Sequence, residues 1–195
     1  MGEYYRKSCD EKPVSPTLSS RNPEGTRNFP WTFPRTSPTT SELSKIGTCV
    51  SLPANLSSEE ECLRLAGEIG ERESQLDILV NNAGANWGED FESFPAKAWD
   101  RVLDLNVKSV FFLTRACTEL LEKGASPDDP GRVINIGSVD GLKTPGLDTW
   151  AYSSSKAAVH MLTRHLAKTL APKQITVNAV APGPFQSQMM AATLE

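Results

Sequence analysis

No apolar run in this 195-residue sequence approaches the ~20 residues of a membrane-spanning helix, so no membrane partner is expected. Basic residues are not in excess. Twenty Lys and Arg against 24 Asp and Glu leave a net charge of −4, which argues against nucleic acid and against a polybasic membrane patch. Cysteine is scarce. Cys9, Cys49, Cys62 and Cys117 are widely spaced with no CxxC pair, the pattern of free thiols in a reducing compartment rather than of a disulfide framework or a zinc site. The two histidines, His160 and His165, lie five apart and do not share a helix face, so no metal site is expected and both read as structural or solvated. The first residues lack the apolar core of a secretory signal, and the cytoplasm is the expected location. A mitochondrial destination is the alternative on Arg and Ser content, opposed by Glu3, Asp10, Glu11 and Glu24.

The sequence divides near residue 42. Residues 1–42 carry Pro13, Pro16, Pro23, Pro30, Pro34 and Pro38 among many Ser, Thr and Arg, with no periodic apolar face. Proline at that density blocks helices and central strands, so this segment is expected to be disordered. From there to residue 195 the pattern alternates strands and helices. GTCVSLPANL (residues 47–56) reads as a strand and its exit loop. Ser57 with Glu60 fits a capping box that opens a helix to about Glu71. Strands are expected at 76–80, 132–136 and 175–180, a helical stretch follows Pro95, and another helix spans about 150–170. Strands alternating with helices predict an α/β domain with a parallel sheet.

Three residues carry the chemistry. Tyr152 and Lys156 are four apart and share one helix face, and Ser138 ends the apolar run RVINIGS fourteen residues upstream of Tyr152. A cation beside a phenol favours the phenolate, so Lys156 is expected to lower the Tyr152 pKa and make it a general acid or base at a carbonyl or alcohol. Ser138 would hold and polarise the same oxygen. YxxxK alone is more often an ordinary surface pair; the strand delivering Ser138 to the C-terminal edge of an open sheet, where such sheets bind ligands, strengthens the chemical interpretation. Ser153, Ser154 and Ser155 read as polar helix-start residues.

These motifs together resemble the short-chain dehydrogenase/reductase family. They are NNAG at 81–84, Asn106 in LDLNVKS, Ser138 in INIGS, Tyr152 and Lys156 in YSSSK, and PGPFQS at 182–187, in the family's order and approximate spacing. LDILVNNAG, Trp87, VINIGSVDG and NAVAPGPFQSQM look most like the 3-oxoacyl-[acyl-carrier-protein] reductase-like branch, over roughly residues 46–190. The resemblance implies a Rossmann-like doubly wound parallel sheet and an NAD(P)-dependent oxidoreductase acting on a small carbonyl or alcohol, with NADP favoured over NAD. It implies catalytic roles for Asn106, Ser138, Tyr152 and Lys156, with Asn106 continuing a proton relay through a water on its backbone. It implies cofactor contacts at Asn82, Ala83 and Gly84, at Tyr152 and Lys156, and at Pro182, Gly183 and Ser187. Asn55 stands where the family usually has an Asp that orients the adenine. A homo-oligomer through the long helices is left open.

The family's opening glycine-rich turn, TGxxxGxG, has no counterpart in residues 1–45, and the sequence stops at Glu195 short of the family's final elements. The sheet is therefore expected to be incomplete, with weak cofactor binding. The alternative to an enzyme is an inactive remnant that serves only as a binding partner. A sugar-nucleotide epimerase shares YxxxK, but PGPFQS fits simple reductases better.

Overall fold

The computed structural model describes residues 50–183. The segment 1–42 and Ser187 lie outside the described residues. The elements in order are α1 (Glu59–Arg72), β1 (Ile78–Asn81), α2 (Ala96–Leu103), a π-helical stretch (Asp104–Lys108), α3 (Ser109–Gly124), β2 (Gly131–Ile136), α4 (Trp150–Leu170) and β3 (Ile175–Val180). Short 3-10 turns stand at Phe91–Ser93, Val139–Gly141 and Ala171–Lys173.

The three strands pair in parallel in the order β1-β2-β3, each joined to the next through a helix. The register aligns Leu79 with Val133 and Val133 with Val177, and all three are buried. The alternate positions Ile78, Val80, Ile134 and Ile136 are only partly covered and Val180 is exposed, so the described helices cover one face of the sheet. Under that covered face Leu65 and Ile69 of α1, Leu76, Leu113 and Leu121 of α3, and Leu166 and Leu170 of α4 form one apolar cluster. Each such buried side chain contributes about 1.5–3 kcal/mol from the area it removes from water.

Polar side chains fix the strand alignment. The Asn81 amide donates to Asn135 Oδ1 at 2.8 Å and to Thr114 Oγ1 at 3.1 Å, and the Asn135 amide donates to Thr163 Oγ1 at 2.9 Å. A buried network of this kind is costly unless every member is satisfied, so it selects one register for β1 and β2 and ties them to α3 and α4. Asn81, the first residue of NNAG, is therefore turned into the core.

Two local expectations are corrected. Of the strand and exit loop expected at 47–56, residues 47–49 lie outside the described residues, and within 50–56 there is no strand, although the burial alternates with a period of two: Leu52, Ala54 and Leu56 are buried while Ser51, Pro53 and Asn55 are exposed. The pattern is that of an extended chain lying on the core. Pro53 lacks the N–H a ladder would need, and no described strand pairs with the outer edge of β1. The cap of α1 is Ser58, not Ser57. Its Oγ accepts from Glu61 N–H at 3.5 Å, while Glu61 turns its carboxylate to Arg64 and to Asn55 N–H rather than back to the cap residue. The box is shifted by one residue and only half formed.

Cys62 and Cys117 lie inside the core as free thiols with no exposed surface. Burial pushes their pKa values up to about 11 and about 12 respectively, and Glu59 and Glu61 add to the rise at Cys62. Both are protonated at neutral pH and so poorly nucleophilic. Alkylation followed by peptide mapping should show both cysteines unmodified in the folded protein and modified after denaturation. Rapid native labelling of Cys117 would contradict this packing.

Candidate active site

The C-terminal ends of the strands bring the candidate residues together. β1 runs out at Asn81 into the Ala83–Ala85 turn, β2 runs out at Ile136 into Gly137 and Ser138, and α4 lays Tyr152 and Lys156 across both. Strand β3 ends beside them: Val139 N–H donates to Pro182 O at 3.1 Å, which ties the segment bearing Pro182 and Gly183 to the residue after Ser138.

Ser138 is buried and extended, with φ −166° and ψ 154°. Its Oγ accepts from Asp140 N–H at 3.1 Å, which leaves its own proton to give to the Tyr152 oxygen. Burial pushes the Tyr152 hydroxyl above its ordinary value; the Ser138 hydrogen bond opposes this, and the negative charge of Asp140 adds to it. The expectation that Lys156 draws Tyr152 toward neutrality is thus corrected. The Lys156 ammonium sits 5.5 Å from the centre of the Tyr152 ring and donates to Ile136 O at 2.7 Å. Lys156 is itself buried, and burial lowers its pKa from 10.5 to about 8. Desolvation is the largest influence at both groups, and Tyr152 is a protonated phenol at neutral pH.

Asn106 lies in the π-helical stretch between α2 and α3, not in a regular α-helix. Its side chain is fully employed and buried. Oδ1 accepts from Ala85 N–H at 2.7 Å, and Nδ2 donates to Ala85 O at 2.9 Å and to Ser155 Oγ at 2.8 Å. It fastens the turn after β1 to the start of α4. A Cβ on Gly84 would stand 3.5 Å from Asn106 Oδ1 and 3.8 Å from Lys156 Nζ, so the NNAG turn directly adjoins the lysine.

Ser155 is the functional neighbour that sequence reasoning missed. It is fully buried, accepts from Asn106, and donates to Tyr152 O at 2.6 Å. Three consecutive serines gave no means of telling the inward one from the others; only the helical phase did, since position 155 shares the buried stripe with 151 and 159. Asn82 is exposed beside the buried Ala83. Asn55 stands at the entry to α1, where its Oδ1 accepts from Ser57 N–H at 3.3 Å and its carbonyl accepts from Ser58 N–H at 3.1 Å, so its side chain serves the helix start. Among the described residues no three His, Cys, Asp or Glu side chains come together as a metal set, and no helix is long and apolar enough to cross a membrane.

Known proteins resemble this chain over most of its length. The rhamnolipids biosynthesis 3-oxoacyl-[acyl-carrier-protein] reductase of Pseudomonas aeruginosa is 50% identical over 151 residues, 77% of this chain and 59% of that protein. The 3-oxoacyl-[acyl-carrier-protein] reductase of a Synechocystis species is 38% identical over 144 residues, 73% of this chain and 56% of that protein. Among solved structures, the Pseudomonas aeruginosa RhlG/NADP active-site complex superposes with a TM-score of 0.76 at 48% identity, covering 78% of this chain and 60% of that one. The chain thus spans a little under three-fifths of the length of these curated relatives. The family model described as short chain dehydrogenase matches residues 34–195. With that match, and with the strand-edge cluster of Ser138, Tyr152 and Lys156, the chain belongs to the short-chain dehydrogenase family.

Proposed function

We propose that this chain carries the proton-transfer half of an NAD(P)-dependent oxidoreductase that interconverts a carbonyl and an alcohol, with a 3-oxoacyl thioester as the first substrate class to try. The observation that carries it is the convergence of Ser138, Tyr152 and Lys156 at one strand edge, with Lys156 bonded to Ile136 O and adjoining the Gly84 turn. The names of the relatives, two of them 3-oxoacyl reductases, support the substrate class.

The residues present fit a nicotinamide cofactor. Gly84 keeps the turn beside Lys156 free of a side chain, and Lys156 Nζ has protons left after its bond to Ile136 O, able to hold a ribose hydroxyl. Asn82, Ala83 and Gly84 would line one part of that site, and Pro182 and Gly183, held at the end of β3, another. Ser187 would complete it. Asn55 would face the adenine only by giving up its bond at the α1 cap. NADP is favoured because the 48%-identical structure is an NADP complex; an NADH-dependent reductase complexed with NAD, 27% identical, keeps NAD as the second choice. When bound, the cofactor supplies hydride to the carbonyl carbon or takes it from the alcohol.

The chain's own residues handle the oxygen. Ser138 donates to the substrate oxygen and orients it. Tyr152, protonated at neutral pH, gives that oxygen its proton in the reductive direction. Lys156 replenishes Tyr152 and holds the nearby hydroxyl, and Asn106, with Ser155, keeps the Gly84–Ala85 turn and α4 at fixed separation.

Titration of the purified chain with NADPH and with NADH, followed by NADPH absorbance with acetoacetyl-CoA, tests the proposal: weak cofactor binding and slow substrate-dependent oxidation are expected. Binding of neither cofactor would overturn it. The second reading, a partner-binding role without catalysis, draws on the half-covered sheet face of Ile78, Val80, Ile134 and Ile136 and would then take precedence.

A further inference from the structure

Resting on that reading of the site, we propose that His160 is a positioning residue: its Nε2–H, donated to the main-chain carbonyl of Ser138, sets the direction in which the Ser138 hydroxyl meets Tyr152. The geometry begins on α4. Tyr152, Lys156 and His160 recur every four residues and so form one stripe along the helix. The stripe meets the end of β2 at three successive places. Tyr152 neighbours the Ser138 side chain, Lys156 donates to Ile136 O at 2.7 Å, and His160 Nε2 lies 3.0 Å from Ser138 O. A carbonyl oxygen only accepts, so Nε2 carries the proton in this contact.

The approach is close. A Cβ on Gly137 would stand 2.4 Å from His160 Cε1 and 2.8 Å from Nε2, so the imidazole rests directly on the backbone before Ser138, and only glycine there admits it. The Ser138 carbonyl also accepts from Gly141 N–H at 3.1 Å, which together with His160 uses both of its lone pairs. On the other side, Gly137 N–H donates to Val180 O at 2.8 Å and Val139 N–H donates to Pro182 O at 3.1 Å. The backbone of residues 137–139 is thus clamped between the exit of β3 and the α4 imidazole. Ser138 has a short side chain, so its Oγ goes where this backbone points it. None of the mechanism's steps uses His160 directly; it acts through Ser138.

The test reads Tyr152 as well as turnover, so it does not depend on cofactor binding. Tyrosine labelled at Cζ reports the titration of Tyr152 by NMR. Ser138→Ala should raise the Tyr152 midpoint, because the Ser138 hydrogen bond draws it down. His160→Leu should raise it in the same sense and lower kcat about tenfold, the upper range of one neutral hydrogen bond, with little change in the KM for NADPH. His160→Gln, whose amide nitrogen reaches about as far as Nε2, should keep both near those of the unmutated chain. His160→Asn, polar but shorter, should behave as His160→Leu and carries the test if the leucine variant does not fold. In a Ser138→Ala background, His160→Leu should add nothing further. A Tyr152 titration that responds to Ser138→Ala but not to His160→Leu or His160→Asn overturns the proposal and leaves the site reading standing, as do equal effects of His160→Leu in both backgrounds. A Tyr152 titration indifferent to Ser138→Ala overturns the site reading and the proposal with it.

Discussion

Tyr152→Phe should abolish most carbonyl reduction while leaving cofactor binding largely intact. The substitution removes one oxygen and keeps the ring that packs beside Lys156, so the fold and the Gly84 turn have no reason to move. The loss is the positioned proton donor. General acid–base catalysis of this kind contributes about 10²–10⁴-fold, and turnover should fall by that factor. The assay is best run on residues 50–183 placed within the 50%-identical Pseudomonas aeruginosa reductase, so that every variant is compared in one background. Ser138→Ala should cost less, since Ser138 orients the oxygen but Tyr152 delivers the proton. Near-normal turnover in the phenylalanine variant would rule out the mechanism.

The pH dependence follows from the same burial. With the Tyr152 pKa raised, the reducing direction has its proton in place throughout the neutral range. Reductive turnover should therefore hold through the neutral range, fall first as Lys156 loses its charge and again when Tyr152 itself deprotonates. Alcohol oxidation needs the phenolate and should climb over the same range. Lys156, at about 8, gives up its charge earlier, so a first inflection near that pH belongs to the lysine rather than the tyrosine.

The backbone plan was open to sequence reasoning where periodicity and local chemistry agreed. β2, α4 and β3 lie where the apolar runs and the helical stripe put them, to within a residue. The extended segment at 50–56 had the right alternation but not the pairing, because a ladder depends on a neighbouring strand and not on the segment itself. The proximity of Ser138, Tyr152 and Lys156 followed from spacing and from resemblance to a family. The direction of the Tyr152 pKa did not. It depends on how much water the fold excludes, which an i, i+4 pair cannot reveal. Ser155 and His160 were passed over for a similar reason: each works through one hydrogen bond to a distant segment, Asn106 in one case and Ser138 O in the other, and such partners are set by tertiary packing.

Lys156→Met should separate catalytic need from stability. Lys156 is only 5% exposed, has a backbone carbonyl but no carboxylate as hydrogen-bond partner, and has its pKa lowered from 10.5 to about 8. A lysine whose pKa is lower in the folded state than in the unfolded chain binds fewer protons when folded. Its full stability is present above its unfolded value near 10.5 and is lost as pH falls through about 8. At neutral pH the fold therefore carries the cost of a buried, largely uncompensated charge, about 3 kcal/mol at ~1.4 kcal/mol per pKa unit. Methionine fills similar space without charge, and forgoes the bond to Ile136 O, worth about 1 kcal/mol. The net expectation is a gain of about 2 kcal/mol at pH 7, or roughly 4–8 °C in Tm for a chain of this size. That gain should shrink as pH rises and turn into a small loss near the unfolded lysine value, where only the missing bond to Ile136 O remains. Turnover should fall about 100-fold or more, because the cation that supports Tyr152 and the adjoining hydroxyl is gone. Stability gained and activity lost by one substitution marks a residue kept for its chemistry. A Lys156→Met variant less stable at neutral pH would mean that the ammonium is compensated in the fold, and the lowered pKa would have to be abandoned.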